Sequence, residues 1–407
     1  MGVMAVASLT LNRLINACSP LRSSEFSTPC NLMLVKKNIP ITALQQQSVT
    51  DADLGISRDK CLKGVKALVD EGIKKIPDAY VLPVHHRPCH SEIFFDSLPL
   101  IDMTDAQGER RPQFIEAIAD ACEKWGFFQV INHGVSPSMI QRMVDAAKEF
   151  FNLPLEEKMA YASDDVAKTR RTGATRVGTS FNPSKETTLQ WRDHLRHPCT
   201  PCPDVIDNWP DNPTCYRQAA LDYSVAIKQL AEQLLAGLSE SLGLYDGSLI
   251  EKFYQHDQQL AVNYYPPCPN PDLAVGLCSH SDPGGITILF QDDVGGLQVL
   301  HEDRWIAVQP SADCLIINVG DQMEILTNGR YKSVEHRAVL NSERPRMSII
   351  SSYNPSRHTK ISPIKHLVDE HHHPALYREI SYADYLQYFY SKSLDGKSCI
   401  HYVKNNS

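Results

Sequence analysis

Between residues 258 and 354 the chain is cut into eight short runs that each read as a strand: 260–265, 277–282, 287–291, 297–300, 305–308, 315–319, 334–340 and 347–353. Pro283-Gly284-Gly285, Gly295-Gly296 and Asn328-Gly329 punctuate the gaps between them, as turns do between closely spaced strands. Runs this short are strand-sized rather than helix-sized. Eight of them in succession suggest a double-sheet jelly roll. Such a barrel brings side chains from strands distant in sequence to one interior point.

His280-Ser281-Asp282 falls in the second run. If both residues lie on the strand, its period of two sends the imidazole and the carboxylate to one face. His336 is the best candidate for a third ligand, 54 residues beyond Asp282. Two histidines and one carboxylate form the facial set that holds non-haem Fe(II) and leaves positions open for a co-substrate and O2. Ten residues past His336 stands Arg346, and then Ser348. On a strand these two share a face, and the even offset is read as placing Arg346 on the face of His336 as well. A guanidinium fork beside a hydroxyl suits a carboxylate. A metal triad with a carboxylate clamp is what a keto-diacid such as 2-oxoglutarate requires.

On these residues the chain resembles the plant-type 2-oxoglutarate/Fe(II)-dependent dioxygenases, whose pattern is H-x-D, a longer interval, H, then R-x-S. Asn263-Tyr-Tyr265-Pro-Pro-Cys268-Pro, Trp125-Gly-Phe-Phe-Gln-Val-Ile-Asn132-His133-Gly134, Gly295-Gly-Leu-Gln-Val and Asn318-Val-Gly-Asp321 extend the likeness over residues 97–394. The resemblance implies an α+β fold. It comprises a double-stranded β-helix (jelly-roll) core, an N-terminal helical and strand domain, a long supporting helix and a C-terminal helical cap over the barrel mouth. It implies an oxidoreductase with His280, Asp282 and His336 on the metal. Arg346, Ser348, Tyr265 and Asn263 would hold 2-oxoglutarate, and Phe181, Ser352, Tyr353 and Asn354 would meet the substrate. Fe(II), 2-oxoglutarate and O2 are the implied cofactors, with ascorbate as reductant. The branch most resembled holds flavanone 3-hydroxylase-like and flavone synthase-like enzymes of specialised metabolism, so a small, largely apolar, flavonoid-like substrate is expected. The alternatives are an oxidase of a hormone-like carboxylic acid (a jasmonate or gibberellin), with Arg170, Arg171 or Arg176 on the carboxylate, and a non-catalytic jelly roll that binds a small molecule. An ethylene-forming oxidase shares R-x-S, but the long N-terminal extension counts against it.

The rest of the chain frames this core. Residues 1–55 read as a disordered or transit-like extension, because Arg13, Arg22, Lys36 and Lys37 face a single acid, Glu25, before Asp51. Residues 56–215 are assigned to the N-terminal domain, 216–256 to a linking helix region, 257–360 to the jelly roll and 361–407 to the cap. Periodicity predicts helices over 56–76, 111–124, from Ser136-Pro137, over 214–242 with Gly243 as its stop, and over 377–390. His85, His86, His90 and the triplet His371–His373 read as surface histidines, and His133 as a turn residue. Cys199-Thr-Pro-Cys202 is a lone pair without the second pair that a zinc site needs. A net charge of −8 argues against a nucleic-acid partner, and no apolar run is long enough to span a bilayer. A monomer in the cytoplasm is expected, or in the plastid if the extension is a transit peptide.

Overall fold

The computed structural model describes residues 58–88, 93–94, 97–162, 174–199 and 203–405. The N-terminal extension, His90, Arg170, Arg171 and Cys202 lie outside them. Residues 51–407 form one compact unit.

Two sheets carry the fold. In chain order the strands are β1 (Ile93–Phe94), β2 (Leu100–Asp102), β3 (Phe127–Ile131), β4 (Arg176–Thr179), β5 (Asp193–Pro198), β6 (Asp257–Tyr265), β7 (Leu277–His280), β8 (Ile286–Gln291), β9 (Leu297–His301), β10 (Arg304–Ala307), β11 (Leu315–Val319), β12 (His336–Ala338), β13 (Arg346–Asn354), β14 (Lys360–Ile361) and β15 (Ile380–Ser381). The eight runs expected from the sequence are β6 to β13. The major sheet has the order β2-β3-β11-β8-β13-β6-β5-β4 and the minor sheet β1-β10-β9-β12-β7. The segment before residue 215 thus adds four strands to the major sheet and does not stand beside it as a separate layer.

Strand alternation sorts each face of the major sheet. Ile286, Ile288, Leu260, Val262, Met347, Ile349 and Tyr353 point outward and are buried with Tyr223, Ile227, Leu230, Leu234 and Leu238 of the helix Tyr216–Ser241. Those helix residues recur every three or four positions, so they form one stripe against the sheet. Gly243, at φ +73°, stops that helix as expected. Toward the minor sheet, Phe127, Leu289, Leu297, Val299 and Ile316 fill the space between the layers.

Two helix expectations shift, and one holds as read. The run over 56–76 is two short helices, Arg58–Cys61 and Val65–Asp70. Gly64 breaks it at φ +121°, and the Asp193 carboxylate accepts hydrogen bonds from the freed Val65 and Lys66 amides (2.7 and 2.8 Å). The helix from Pro137 runs to Asn152, with the Ser136 hydroxyl accepting from the Met139 amide. The C-terminal helix begins at Tyr382, not at Tyr377, because Ile380–Ser381 pairs with Lys360–Ile361 and the Ser381 hydroxyl caps the helix.

Candidate active site

The two histidines face each other across neighbouring strands. His336 on β12 is the direct antiparallel partner of His280 on β7, and their rings lie 4.3 Å apart. Each Nδ1 meets a backbone carbonyl two residues upstream, Cys278 O at 2.8 Å and Val334 O at 3.2 Å. A carbonyl only accepts, so Nδ1 carries the proton and Nε2 keeps its lone pair for the site. Asp282 supplies the third group. Its Oδ1 lies 3.6 Å from His280 Nε2 and 3.8 Å from His336 Nε2. Its Oδ2 accepts from Thr287 Oγ1 (2.6 Å, β8) and Asn318 Nδ2 (2.9 Å, β11). The donor atoms all lie within 4.8 Å of one another, and no other such cluster occurs among the described residues.

Asp282 does not lie on the strand as the alternation argument assumed. β7 ends at His280, and the chain turns into Pro283-Gly284-Gly285. The carboxylate instead bridges the sheets, facing the minor-sheet imidazoles and held by the major-sheet donors. Burial and the neighbouring His336 push the His280 pKa down, which keeps the imidazole neutral. Burial opposes ionisation of Asp282, yet its polar surroundings, the two imidazole groups beside Oδ1 and the hydrogen bonds from Asn318 and Thr287 to Oδ2, outweigh burial and hold the carboxyl below its usual range. Two imidazoles that present Nε2 and one carboxylate that presents Oδ1 are a donor set that fits Fe(II).

A second polar cluster sits on β6 and β13. In register, Arg346 opposes Tyr265 and Ser348 opposes Asn263. Arg346 is 2 % exposed, and its Nη2 donates to Gln291 Oε1 (3.2 Å), while Nε and Nη1 have no partner. A buried guanidinium with two vacant donors has the chemistry to receive a carboxylate. Gly296 permits the approach: at φ +108°, a Cβ there would stand 3.2 Å from Arg346 Cδ. Ser348 is buried beside it. Asn263 Oδ1 accepts from Arg192 Nη1 (2.9 Å), and its Nδ2 is buried without a partner. The even spacing from His336 was not what places Arg346: the two residues lie on strands of different sheets.

A cavity opens over the triad. Phe181, Ser352 and Asn354 line it, with His280, Asp282 and Thr287 at its base. Tyr353 does not, because the strand period turns it to the outer face, where it stacks on His256 (4.5 Å) and Phe253 (6.0 Å). Phe181 meets Phe389 edge-on and Tyr390 at a tilt, both at 5.6 Å, and forms a roof with the C-terminal helix. The Asn182 side chain donates to Tyr390 O (2.9 Å). Gly396 then docks along β7, its amide donating to Ser279 O (3.1 Å), so the cap is tied to the strand that carries His280.

Comparison with known proteins agrees. The model of the 2OG-Fe(II) oxygenase superfamily matches residues 256–355, and that of the non-haem dioxygenase N-terminal region matches residues 98–214. DMR6-LIKE OXYGENASE 2 of Arabidopsis thaliana is 44% identical over 81% of this chain and 94% of its own length. The chain belongs to the 2OG-Fe(II) oxygenase superfamily. Flavanone 3-dioxygenase 2 of Oryza sativa subsp. japonica is 42% identical over 80% of this chain and 92% of its own. The crystal structure of JOX2 in complex with 2OG, Fe and JA superposes with a TM-score of 0.76 at 35% identity, covering 84% of this chain and 98% of that one. The chain is thus a plant-type 2-oxoglutarate/Fe(II)-dependent dioxygenase with a jelly-roll core.

Within this oxygenase, sequence reasoning missed the residues around the triad and the cavity wall. Thr287 and Asn318 stand in apolar strands, and their small polar side chains at inward positions were the available signal. Arg192, Arg196 and Arg357 line the cavity. Arg192, His194 and Arg196 share the inward alternation of one strand region, which reads as polar because it faces a cavity. His133 accepts from the Val135 amide (3.2 Å) within its turn. His85, His86 and His371–His373 are exposed. No helix among the described residues is long and apolar enough to cross a membrane.

Proposed function

We propose that this dioxygenase hydroxylates or desaturates a small, largely apolar metabolite, and that a flavonoid-like scaffold is one that its cavity accommodates. His280, Asp282 and His336 would hold Fe(II) through Nε2, Oδ1 and Nε2. Arg346 and Ser348 would bind the far carboxylate of 2-oxoglutarate, with Tyr265 beneath the guanidinium and Asn263 toward the keto-acid end. Fe(II) with 2-oxoglutarate and O2 supplies the oxidising power for C–H cleavage, and ascorbate would keep the metal reduced. The protein's own part is orientation and exclusion of water. Thr287 and Asn318 fix the carboxylate rotamer, and the two carbonyls fix the imidazole tautomers. The Phe181–Phe389–Tyr390 roof would shield the substrate and present one C–H bond to the metal. No side chain is needed as a general acid or base.

The observation that carries this reading is the juxtaposition of an intact triad with a buried guanidinium whose Nε and Nη1 are vacant. The rice relative's name, flavanone 3-dioxygenase, supports a flat phenolic scaffold. The JA of the JOX2 complex supports a hormone-like acid, and the cavity arginines favour that second reading. A monomer in the cytoplasm, or in the plastid, is the proposed setting.

The test is succinate release from 2-oxoglutarate with Fe(II) and ascorbate, against naringenin, a flavone, jasmonic acid and a gibberellin precursor. One member is expected to stimulate release. Unchanged turnover in His336→Ala would overturn the site assignment.

A further inference from the structure

The inner face of the major sheet gathers its positive charge in one place. Reading across the sheet from β8, one row of directly opposed residues runs Leu289, Ile350, Ala261, Arg196, Arg176. The last four line the cavity over the triad. The row therefore ends on two guanidiniums facing each other across β5 and β4. Like charges directly opposed on antiparallel strands destabilise the pair, and neither stands in bulk solvent. Arg176 is buried and Arg196 half-buried.

Among the described residues no side chain pairs directly with Arg196. Arg176 reaches His194, Nη1 to Nε2 at 3.3 Å. Arg196 makes no hydrogen bond or ion pair with a described side chain, and its Nε is buried without a partner. Burial lowers its pKa to about 10, so it remains protonated at neutral pH. The charged or titratable groups that act on it are Tyr382, Asp257, Asp282 and Arg357. Both carboxylates are engaged elsewhere. Asp257 pairs with Arg357 (3.1 Å) and accepts from Gln259, and Asp282 serves the triad, Thr287 and Asn318. A partly desolvated cation with a buried donor and no direct partner is unfavourable unless an anion completes it.

We propose that Arg196, backed by Arg176, is the seat for an anionic group of the substrate, so that the prime substrate is a carboxylic acid. This rests on the dioxygenase reading and narrows its substrate class. The apolar body of the acid lies over Ala261 and Ile350, with its far end toward the triad. The seat is separate from that of 2-oxoglutarate, since Ala261, the partner of Arg196, lies four residues along β6 from Tyr265, the partner of Arg346. From β8, which holds Thr287 against Asp282, to β5 is three strand spacings, about 14 Å. The oxidised carbon therefore stands several bonds from the carboxylate, and a short acid oxidised next to its carboxyl does not fit.

The test uses the full chain, held anaerobically with Fe(II) and 2-oxoglutarate so that nothing turns over. Melting temperature is titrated with jasmonic acid, indole-3-acetic acid and 4-phenylbutyric acid, each beside its methyl ester, for wild type, Arg196→Met and Arg196→Lys. At least one acid should raise the wild-type melting temperature where its ester does not. Arg196→Met should weaken that acid roughly tenfold or more, as loss of a charge-assisted contact requires, and Arg196→Lys should weaken it less. Without acid, Arg196→Met should melt no lower than wild type, because the opposed charges are gone. Equal effects of acid and ester, undiminished acid binding by Arg196→Met, or no response of wild type to any of the three acids would overturn the proposal. So would an unliganded Arg196→Met that melts well below wild type. Wild-type succinate release, measured in air alongside, reports on the dioxygenase reading separately: its absence counts against that reading, while the acid–ester comparison still decides the anion seat.

Discussion

Arg346 and Tyr265 are direct partners across β13 and β6, and the guanidinium carbon lies 5.0 Å from the centre of the tyrosine ring. The ring covers one face of the cation, Gln291 takes Nη2, and Nε and Nη1 are left to a ligand. Arg346→Lys keeps a charge and loses the fork. The KM for 2-oxoglutarate should rise roughly tenfold to a hundredfold, with a smaller change in KM for the prime substrate. Steady-state kinetics with each substrate varied in turn checks this; an unchanged KM for 2-oxoglutarate would contradict the assigned seat.

The Asp282 carboxylate is aimed from behind. Asn318→Leu and Thr287→Val each remove a hydrogen bond from Oδ2 without touching a metal-facing atom. Metal affinity should fall roughly tenfold to a hundredfold, the usual effect of losing such support. Anaerobic calorimetry with Mn(II) or Fe(II) measures it directly, and wild-type affinity in both variants would show that the carboxylate needs no bracing.

Gly320 makes the turn after Asp282 possible. A Cβ there would stand 2.4 Å from Gly284 O, while the Gly320 amide donates to Gly285 O and the Asp321 amide to Asp282 O (both 2.8 Å). Gly320→Ala must push the Gly284 segment aside. It should cost about 1–3 kcal/mol of stability and weaken metal binding at the same time. A variant that melts lower but binds metal normally would separate the turn from the site.

Asp321 gives stability a pH signature. It is fully buried, and burial raises its pKa to about 7 against the hydrogen bond from Tyr385 (2.6 Å). The folded state thus holds this proton more tightly than the unfolded chain. Its contribution is fully present below about pH 4, the unfolded value, and is lost as pH rises through about 7. His197, lowered to about 4 by burial, has the opposite sign and is common to both proteins. The stability of Asp321→Asn relative to wild type should therefore improve from pH 5 to pH 8. Chemical denaturation at several pH values checks this; a flat difference would contradict it.

The barrel was legible because its strands are short, apolar and separated by glycine turns, and all eight expected runs appear as β6 to β13. That His280, Asp282 and His336 come together, and that Arg346 is buried with vacant donors, was legible because the chemistry of such residue sets is narrow. Three things were not. Asp282 lies beyond the end of its strand, and hydrogen bonds from Thr287 and Asn318, both on the other sheet, set its direction. Tyr353 was assigned to the substrate although the period of β13 sends Ser352 and Asn354 inward and Tyr353 out. The cavity arginines were hidden because β5 faces a polar space and lacks the apolar alternation that marks a strand. Arg176, alone of the three arginines considered for a substrate acid, lies within the described residues and lines the cavity, and the cation beside it, Arg196, becomes visible only when β4 and β5 are paired.

Succinate release from 2-oxoglutarate in the presence of Fe(II) and O2, compared between wild type and His336→Ala, tests the central claim most directly. The triad account predicts release by wild type and none above background by the variant, with Fe(II) retention falling in parallel. Release by His336→Ala at the wild-type rate would contradict it.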